Sequence, residues 1–288
     1  MIGAKAPAKI NLFFEVGEKR ADGYHDVLSV YQSLDLFEEV FVEPAEAWTV
    51  SVAGELAQDQ LELVPKDESN LVVKAAKALA LSVGIDNPQP MHFKIHKRVP
   101  AAGGVAGGSA DAAAALVALN EAWCLGLDQD QLMRVAAELG ADVPFSLLGG
   151  MALGTGSGIV LKRLPTVPKQ HVLLVFSAPG LSTKQVFEVF DEIYPNGDLK
   201  ASAADFDAGF NLDLAGRNSL LAPAQTLRPD LQDLMNMVPG VAKLSGSGPT
   251  LYLLSEDAGE VSRWESAYRA KGLETLVTSF GAEGAGPI

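Results

Sequence analysis

The sequence is poor in cysteine and has no long apolar run, and each scarcity excludes a class of protein. Cys124 is the single cysteine in 288 residues, so no disulfide can form within the chain, which favours a reducing compartment. Its apolar neighbours predict a small core side chain rather than a catalytic thiol. No apolar run approaches the roughly 18 residues of a membrane span, and the N-terminal stretch lacks the pattern of a secretory leader. We therefore expect a cytoplasmic protein that does not contact a membrane.

Basic residues are also scarce. Lys and Arg number 22 against 36 Asp and Glu, which gives a net charge of −14, and no basic run occurs. Nucleic-acid binding depends on Lys and Arg opposite phosphates, so no nucleic-acid partner is expected. The charge also implies that an anionic ligand is held by local donors rather than by the general field. His92 and His96 would lie about 13 Å apart on a strand, and no metal bound by protein side chains is predicted.

Strand and helix patterns follow one another without a regular βαβ repeat, which predicts an α+β fold with two domains. We place the first domain at 1–162 and the second at 163–288. The stretch 163–170, RLPTVPKQ, contains two prolines and is the best candidate for a linker. The glycine-rich end of the chain, 281–288, is expected to be loose.

Residues 9–18 alternate strictly between two faces, which predicts a strand with Lys9 and Asn11 on one face and Ile10 and Leu12 on the other. The rest of the segment continues the alternation. Phe14 and Val16 share the face of Ile10, and Phe13 and Glu15 share the face of Lys9.

Helices are predicted at 69–83, with Ser69 as its cap, from Asp111 to about Cys124, and after Asp128, which can cap the third helix. Later segments predict a hairpin at 149–164, a buried strand at 171–178, a helix at 182–194 and two strands around a glycine loop at 240–255.

The stretch 100–116, PAAGGVAGGSADAAAAL, places four glycines within six positions directly before an alanine-rich helix. Such a loop can aim backbone N–H groups at an anion, and the start of the helix adds to the attraction. Ser109 can cap the helix, donate to a phosphate, or do both. The spacing matches neither the Walker loop, the dinucleotide fingerprint nor the hydrolase nucleophile elbow. A flexible turn before a helix is the alternative interpretation.

The glycine stretch resembles the second motif of the GHMP kinases, the superfamily of galactokinase, homoserine kinase and mevalonate kinase. The segments PAKINLFFEVGEKRADGYHDV (7–27), GADVPF (140–145) and SGSGPT (245–250) narrow the resemblance. Together they resemble the members that use ATP to phosphorylate the 2-hydroxyl of 4-diphosphocytidyl-2-C-methyl-D-erythritol in the non-mevalonate isoprenoid pathway. The resemblance runs through most of the chain and is weakest over 190–235.

The resemblance implies a ribosomal S5-like first domain, a ferredoxin-like second domain, and an active site between them. It implies that Lys9 and Asp142 form the catalytic pair, and that ATP, with Mg²⁺ carried by the nucleotide, binds the glycine loop. That loop comprises Pro100, Ala101, Ala102, Gly103, Gly104, Val105, Ala106, Gly107, Gly108, Ser109 and Ala110. The residues implied to bind the cytidine diphosphate substrate are Asn11, Tyr24, His25, Thr183, Ser245, Gly246, Ser247 and Gly248. The protein is expected to be a monomer or a homodimer.

Several points stay open at this level. Ala101, Ala102 and Ala106 stand where the family often has glycine, and we expect ordinary backbone angles there. Asn218–Ser219 stands where the family tends to have Asn-Asp. The position of Asp142 before Val143 and Pro144 also predicts a helix cap. The alternative functions are another GHMP kinase, of homoserine or mevalonate type, and a nucleotide-binding module without catalysis.

Overall fold

The structure is a computed structural model that describes residues 1–100, 103–239 and 241–288. Its first part contains β1 (Ile2–Lys19), β2 (His25–Pro44), β3 (Thr49–Gly54), α1 (Gln58–Glu62), α2 (Leu71–Ser82), β4 (Met91–Lys97), α3 (Gly107–Ala122), α4 (Gln129–Leu139), α5 (Val143–Leu148), β5 (Met151–Thr155) and β6 (Val160–Arg163). Its later part contains β7 (His171–Phe176), α6 (Thr183–Ile193), β8 (Arg217–Asn218), α7 (Leu221–Leu227), α8 (Asp230–Asn236), β9 (Lys243–Leu244), β10 (Leu251–Ser255), α9 (Ala258–Arg269), β11 (Glu274–Ser279) and β12 (Gly286–Pro287).

The first sheet is built on β1 and β2, two long strands that pair antiparallel. The strand order is β12–β1–β2–β4–β3, with β5 also on β2, β6 on β5, and β8 parallel to β1. Helices α2 to α5 cover one face of this sheet through a continuous apolar core. The side chains of Ala112 to Ala115 in α3 are fully buried there, and their small size lets the helix lie close to its neighbours.

The second sheet has the order β11–β7–β10–β9, and all of its strands are antiparallel. Alternate residues of β7 point to opposite faces, so Leu173 packs under α9 while Leu174 faces the first sheet. Ile10 and Leu12 of β1 meet Leu174 in that inter-sheet core.

The prediction of an α+β fold is confirmed. The proposed boundary between 162 and 163 stays a prediction, and strands β8 and β12 from the later part return to β1.

The strict alternation predicted for residues 9–18 is wrong beyond Leu12. The pairing register of β1 shifts between Asn11 and Phe13, which is a β-bulge. Because a bulge moves the following side chains to the other face, Phe13 joins Ile10 and Leu12 in the inter-sheet core. Phe14 moves to the face that Lys9 and Asn11 share, together with Val16.

Helix starts differ from the predictions in two places. Helix α2 begins at Leu71, and its cap is Asn70, whose side chain accepts from the N–H of Val72. The hydroxyl of Ser69 donates instead to Asp67. Helix α3 begins at Gly107 rather than at Asp111. The third predicted helix, α4, is confirmed, and Asp128 caps it through a reciprocal capping box.

Cys124 is exposed, so the prediction of a core side chain is wrong. The residue follows the end of α3 in the left-handed region, with a φ of 52°, where the chain turns away from the apolar face of the helix.

The C-terminal stretch is not loose. Gly286 and Pro287 form β12 against β1, and the N–H of Ala285 donates to the carbonyl of Ser146. A Cβ on Gly284 would lie 2.1 Å from the carbonyl oxygen of Leu147, so only glycine allows this approach. In the residues described, no helix combines the length and apolarity that crossing a membrane requires.

Candidate active site

A cavity of about 960 Å³ opens between β1, the start of α3, helix α6 and the loop before β10. The sequence-predicted residues on its wall are Lys9, Asn11, Tyr24, His25, Gly103, Gly104, Ala106, Gly108, Ser109, Asp142, Thr183, Gly246, Ser247 and Gly248. Segments that lie far apart in sequence therefore meet at one cleft.

The ammonium group of Lys9 lies on the cavity wall although the residue is only 3% exposed. Its Nζ donates to Asn11 Oδ1 at 2.6 Å and to the carbonyl of Gly104 at 3.1 Å, and it lies 3.3 Å from Asp142 Oδ2. It also stands 5.7 Å from the centre of the Tyr31 ring. Burial raises the pKa of the Tyr31 hydroxyl, so the ring stays neutral beside the ammonium. These contacts fix one positive charge at a defined point of the cleft.

Asp142 stands at the N-terminal position of α5, but its carboxylate does not cap the helix. In the described part of the chain this side chain makes no capping hydrogen bond, and Pro144 occupies the first turn. At the start of the helix the N–H of Val143 donates to the Gly140 carbonyl, and the first helical hydrogen bond runs from the N–H of Ser146 to the Asp142 carbonyl. The capping prediction is wrong. The carboxylate is left to face Lys9 and the cavity, with 30% of its side-chain surface exposed.

Within its described residues, the glycine loop adopts left-handed backbone at Gly104 and Ala106. Gly104 has a φ of 76°, and a Cβ there would lie 2.2 Å from the carbonyl oxygen of Ser245. Ala106 has a φ of 63° and a ψ of 29°, so the prediction of ordinary angles is wrong at this position. The chain must reverse there to enter α3, and an L-residue pays about 1–2 kcal/mol for that conformation. Ala101 and Ala102 lie outside the described residues.

The start of α3 lies at the cavity, with Gly108 and Ser109 on its wall. Among the described residues no side chain caps this helix, and Ser109, predicted as a possible cap, is its third residue. Free N–H groups and the helix dipole together attract an anion. Four other members of the predicted loop stand behind this wall rather than on it: Pro100, Val105, Gly107 and Ala110. The carbonyl of Val105 accepts from the N–H of Lys9 and so ties the loop to β1.

The second glycine loop, 245–250, packs directly against the first. The hydroxyl of Ser245 donates to the carbonyl of Gly104 at 2.8 Å, and the N–H of Thr250 donates to the carbonyl of Gly103. Ser245 is fully buried and lies beneath the cavity wall. Gly246, with a φ of 55°, would place a Cβ 3.0 Å from Asn11 Oδ1. The two loops and Lys9 therefore form one hydrogen-bonded unit.

Asn218 holds this second loop in place. Its side-chain N–H groups donate to the carbonyls of Leu244 at 3.1 Å and Gly246 at 2.8 Å, while its Oδ1 accepts from the N–H of Leu220. The neighbouring Ser219 donates to Asp198 and does not reach the cleft wall. The sequence raised this pair only as a departure from the family, and the structure assigns the contacts to Asn218.

The far end of the cavity is aromatic. His25 lies with its ring centre 5.3 Å from Phe187 and 5.6 Å from Phe190. Its Nδ1 lies 2.9 Å from the Gly17 carbonyl and its Nε2 3.1 Å from Asp191 Oδ1. Tyr24 is 66% exposed at the rim. A flat ring with polar edges fits between such groups.

Sequence reasoning missed Phe187 and Asp191, which line the same end of the cleft. Both follow Thr183 on α6 at intervals of four residues, so the three share one face of the helix. The Thr183 hydroxyl lies 3.0 Å from that of Ser247, which joins this face to the second glycine loop. Stepping by four from Thr183 along the predicted helix would have found both residues.

The chain is similar to known proteins over most of its length. Residues 70–150 match the family model described as the GHMP kinases N terminal domain. The chain is 45% identical over 269 residues to the 4-diphosphocytidyl-2-C-methyl-D-erythritol kinase of Nocardia farcinica, covering 88% of this chain and 85% of that one. It is 40% identical over 287 residues to the kinase of the same name from Thermobifida fusca, with 94% and 92% covered. A crystal structure of 4-(cytidine 5'-diphospho)-2C-methyl-D-erythritol kinase is similar with a TM-score of 0.74 at 28% identity, covering 97% of this chain and 99% of that one.

The fold and the cleft with its glycine loop define a GHMP kinase. Within that class, the sequence identity over most of both chains determines the family. The chain belongs to the family of 4-diphosphocytidyl-2-C-methyl-D-erythritol kinases, and it is an enzyme.

Proposed function

We propose that this cleft transfers the γ-phosphoryl group of ATP to the 2-hydroxyl of 4-diphosphocytidyl-2-C-methyl-D-erythritol, with Lys9 and Asp142 as the catalytic pair. The observation that carries this assignment is the 3.3 Å approach of Lys9 Nζ to Asp142 Oδ2 on a wall shared with the glycine loop. The family names of the relatives support the same substrate.

In the proposed step, the substrate hydroxyl oxygen attacks the γ-phosphorus and forms a new O–P bond. The bond between that phosphorus and the bridging oxygen breaks, and ADP leaves with the electron pair. Asp142 accepts the hydroxyl proton, for which a positioned base typically contributes about 10²- to 10⁴-fold. Lys9 stabilises the negative charge that develops on the substrate oxygen.

The glycine loop supplies the larger electrostatic share in this proposal. Gly103, Gly104, Gly108 and Ser109 bring backbone and hydroxyl groups to the cavity wall where α3 begins. Such local donors are required because the net charge of −14 repels an anion. We propose that Mg²⁺ enters bound to the triphosphate, since this ion takes most of its ligands from phosphate and water. The Ser109 hydroxyl is an oxygen ligand that suits such sparse protein coordination.

The substrate end of the cleft is assigned to the cytidine diphosphate moiety. His25 and Tyr24 lie at the aromatic end, and Asn11, Thr183, Gly246, Ser247 and Gly248 line the path back to Lys9. Ser245, predicted to contact substrate, acts in this proposal from beneath the wall through Gly104.

We also propose a cytoplasmic enzyme, a monomer or homodimer, with no nucleic-acid partner. The scarcity of cysteine and of basic residues supports its location and the lack of a nucleic-acid partner.

The test is ADP release from MgATP in the presence of each candidate alcohol. We expect rapid ADP formation with 4-diphosphocytidyl-2-C-methyl-D-erythritol and only background hydrolysis with homoserine or mevalonate. Mass spectrometry of the product should show one added phosphate. ADP formation with homoserine alone would assign a different acceptor. Tight nucleotide binding with no turnover on any alcohol would favour the non-catalytic module.

A further inference from the structure

A second ionic cluster lies beneath the glycine loop, outside the cavity. Lys97 at the end of β4 is fully buried, and its Nζ lies 2.8 Å from Asp111 Oδ2 and 3.0 Å from Glu38 Oε2. Glu38 and Asp111 are 1% and 3% exposed. Taking three ionisable groups out of water is costly, so such a cluster usually persists for a reason other than net stability.

The three residues come from the elements that bracket the loop. Lys97 is the last residue of the strand that enters it, and Asp111 lies in the first turns of the helix that leaves it. Glu38 belongs to β2, and its Oε1 accepts from the backbone N–H groups of Arg98 at 3.1 Å and Val99 at 2.8 Å. One ammonium group therefore bridges both ends of the loop, while one carboxylate fixes the backbone between them.

Close packing at the same point gives independent support. A Cβ on Gly107 would lie 2.9 Å from the Pro100 carbonyl oxygen, 3.0 Å from Val99 Cγ2 and 3.1 Å from Lys97 Nζ. The start of α3 thus presses onto the strand end where the ammonium group sits. The atoms around Gly107 are already in close contact. A small movement of the cluster must therefore move the loop as well.

Two carboxyl groups face one ammonium group in this cluster, so one bound proton would make it neutral. Burial raises the pKa of Glu38 to about 8 and also raises the pKa of Asp111. Burial works against the charge of Lys97, yet Asp111 and Glu38 hold the pKa of its ammonium group above the usual value. Glu38 Oε2 and Asp111 Oδ2 lie 3.0 Å and 2.8 Å from the same ammonium group, so the two carboxyl groups titrate together and can share one proton. The Arg98 guanidinium faces outward to Glu39 and Glu55 and leaves this balance unchanged.

We propose that Glu38, Lys97 and Asp111 form a positioning clamp that holds both ends of the glycine loop and thereby sets the affinity for the ATP phosphates. The clamp touches no substrate and acts through the backbone at the two ends of the loop, at residues 98–100 and at Gly107. The inference rests on the proposed function, in which this loop binds the triphosphate.

The central test compares Asp111→Ala with Asp111→Asn. The alanine variant removes the acceptor on α3 but leaves Lys97 paired with Glu38, so the protein should fold. We expect its KM for MgATP to rise about tenfold or more, and its Kd for MgATP, measured by calorimetry, to rise in parallel. The KM for the alcohol substrate should change by less than about twofold. Asp111→Asn keeps an acceptor for the ammonium group and should restore most of the nucleotide affinity.

The matched control is Leu116→Ala, a buried truncation in the same helix and in the core on the first sheet. It should lower the Tm, as a cavity does, without a selective effect on MgATP. Lys97→Met, which preserves volume, is the second clamp variant, and it should show the same selective rise. It keeps the test valid if Asp111→Ala does not fold.

The outcomes separate the inference from the function on which it rests. If the wild-type protein binds no MgATP, or binds it with no competition from a triphosphate analogue, the loop assignment itself fails. If the wild type binds MgATP and the Asp111→Ala or Lys97→Met variant binds it equally well, the clamp is overturned. A rise in both KM values by the same factor in the clamp variants and in Leu116→Ala would also overturn it, because the effect would then be a general loss of structure.

Discussion

Lys9 differs from an ordinary surface lysine in how little freedom its charge has. Lys9 Nζ is held by Asn11 Oδ1 and the Gly104 carbonyl, so its ammonium group stays in place even without the carboxylate. Asp142, by contrast, makes no capping bond within the described residues and points into the cleft. A carboxylate that is free of helix capping and lies on the cleft wall is placed to accept a proton from a bound hydroxyl group.

We therefore expect Asp142→Asn to lose about 10²-fold or more in kcat while it folds and binds MgATP within about twofold of the wild type. The amide cannot accept the hydroxyl proton, but it has nearly the same shape. Rates at saturating substrate and calorimetric binding of MgATP measure the two effects.

Asp128→Ala is the control, because Asp128 does cap its helix, α4, through the N–H of Gln131. It should lose about 1 kcal/mol of stability with kcat unchanged. Near-native turnover of purified Asp142→Asn would remove Asp142 from the mechanism.

Ala106 carries backbone strain that a glycine would relieve. Its left-handed conformation costs an L-residue about 1–2 kcal/mol, which is partly offset by the lower entropy of alanine in the unfolded chain. We expect Ala106→Gly to be neutral or slightly stabilising. Ala118→Gly, in the buried middle of the same helix, should lose about 1 kcal/mol or more. The free energies of unfolding of the two variants, measured with urea, should differ by about 1–2 kcal/mol. An equal loss of stability in both variants would contradict backbone strain at Ala106.

At the scale of elements, the sequence predicts what depends on local periodicity and on short motifs. The helix after Asp128, the hairpin of β5 and β6, and the two glycine loops follow from residues adjacent in the chain. The bulge after Asn11 was not predictable, because it depends on how β1 pairs with β2 rather than on the strand alone. The clamp at Lys97 was missed for a similar reason, since its partners come from two other elements. The C-terminal strand was missed because its binding site is the edge of β1.

The loop 245–250 is an element whose position depends on Asn218. Asn218→Ala removes two donors to buried carbonyls, so we expect about 1–2 kcal/mol of lost stability and a reduced kcat from a displaced loop. Asn218→Asp should lose more stability and more kcat than Asn218→Ala, because it places a carboxylate against the same two carbonyl oxygens. Urea unfolding and steady-state rates measure both. An aspartate variant more stable than the alanine variant would contradict the donor role.

At the scale of the whole molecule, the clamp makes stability depend on pH. Burial raises the pKa of Glu38 from 4.5 to about 8, so between these values the folded state holds a proton that the unfolded chain has released. The contribution of Glu38 to the free energy of unfolding is therefore fully present below about pH 4.5. It is lost as the pH rises to about 8. Lys97 stays charged throughout this window because its pKa is raised.

Glu38→Gln should flatten this dependence, since glutamine does not titrate and preserves the size of the side chain. We expect the urea midpoint of the wild type to fall more steeply than that of Glu38→Gln between pH 5 and pH 8, and the two curves to run parallel above about pH 9. Glu39→Gln is the matched control, because Glu39 neighbours Glu38 but pairs with Arg98 at the partly exposed surface. Its curve should follow the wild type. Equal slopes for the wild type and Glu38→Gln would mean that Glu38 does not hold the shared proton in the folded protein.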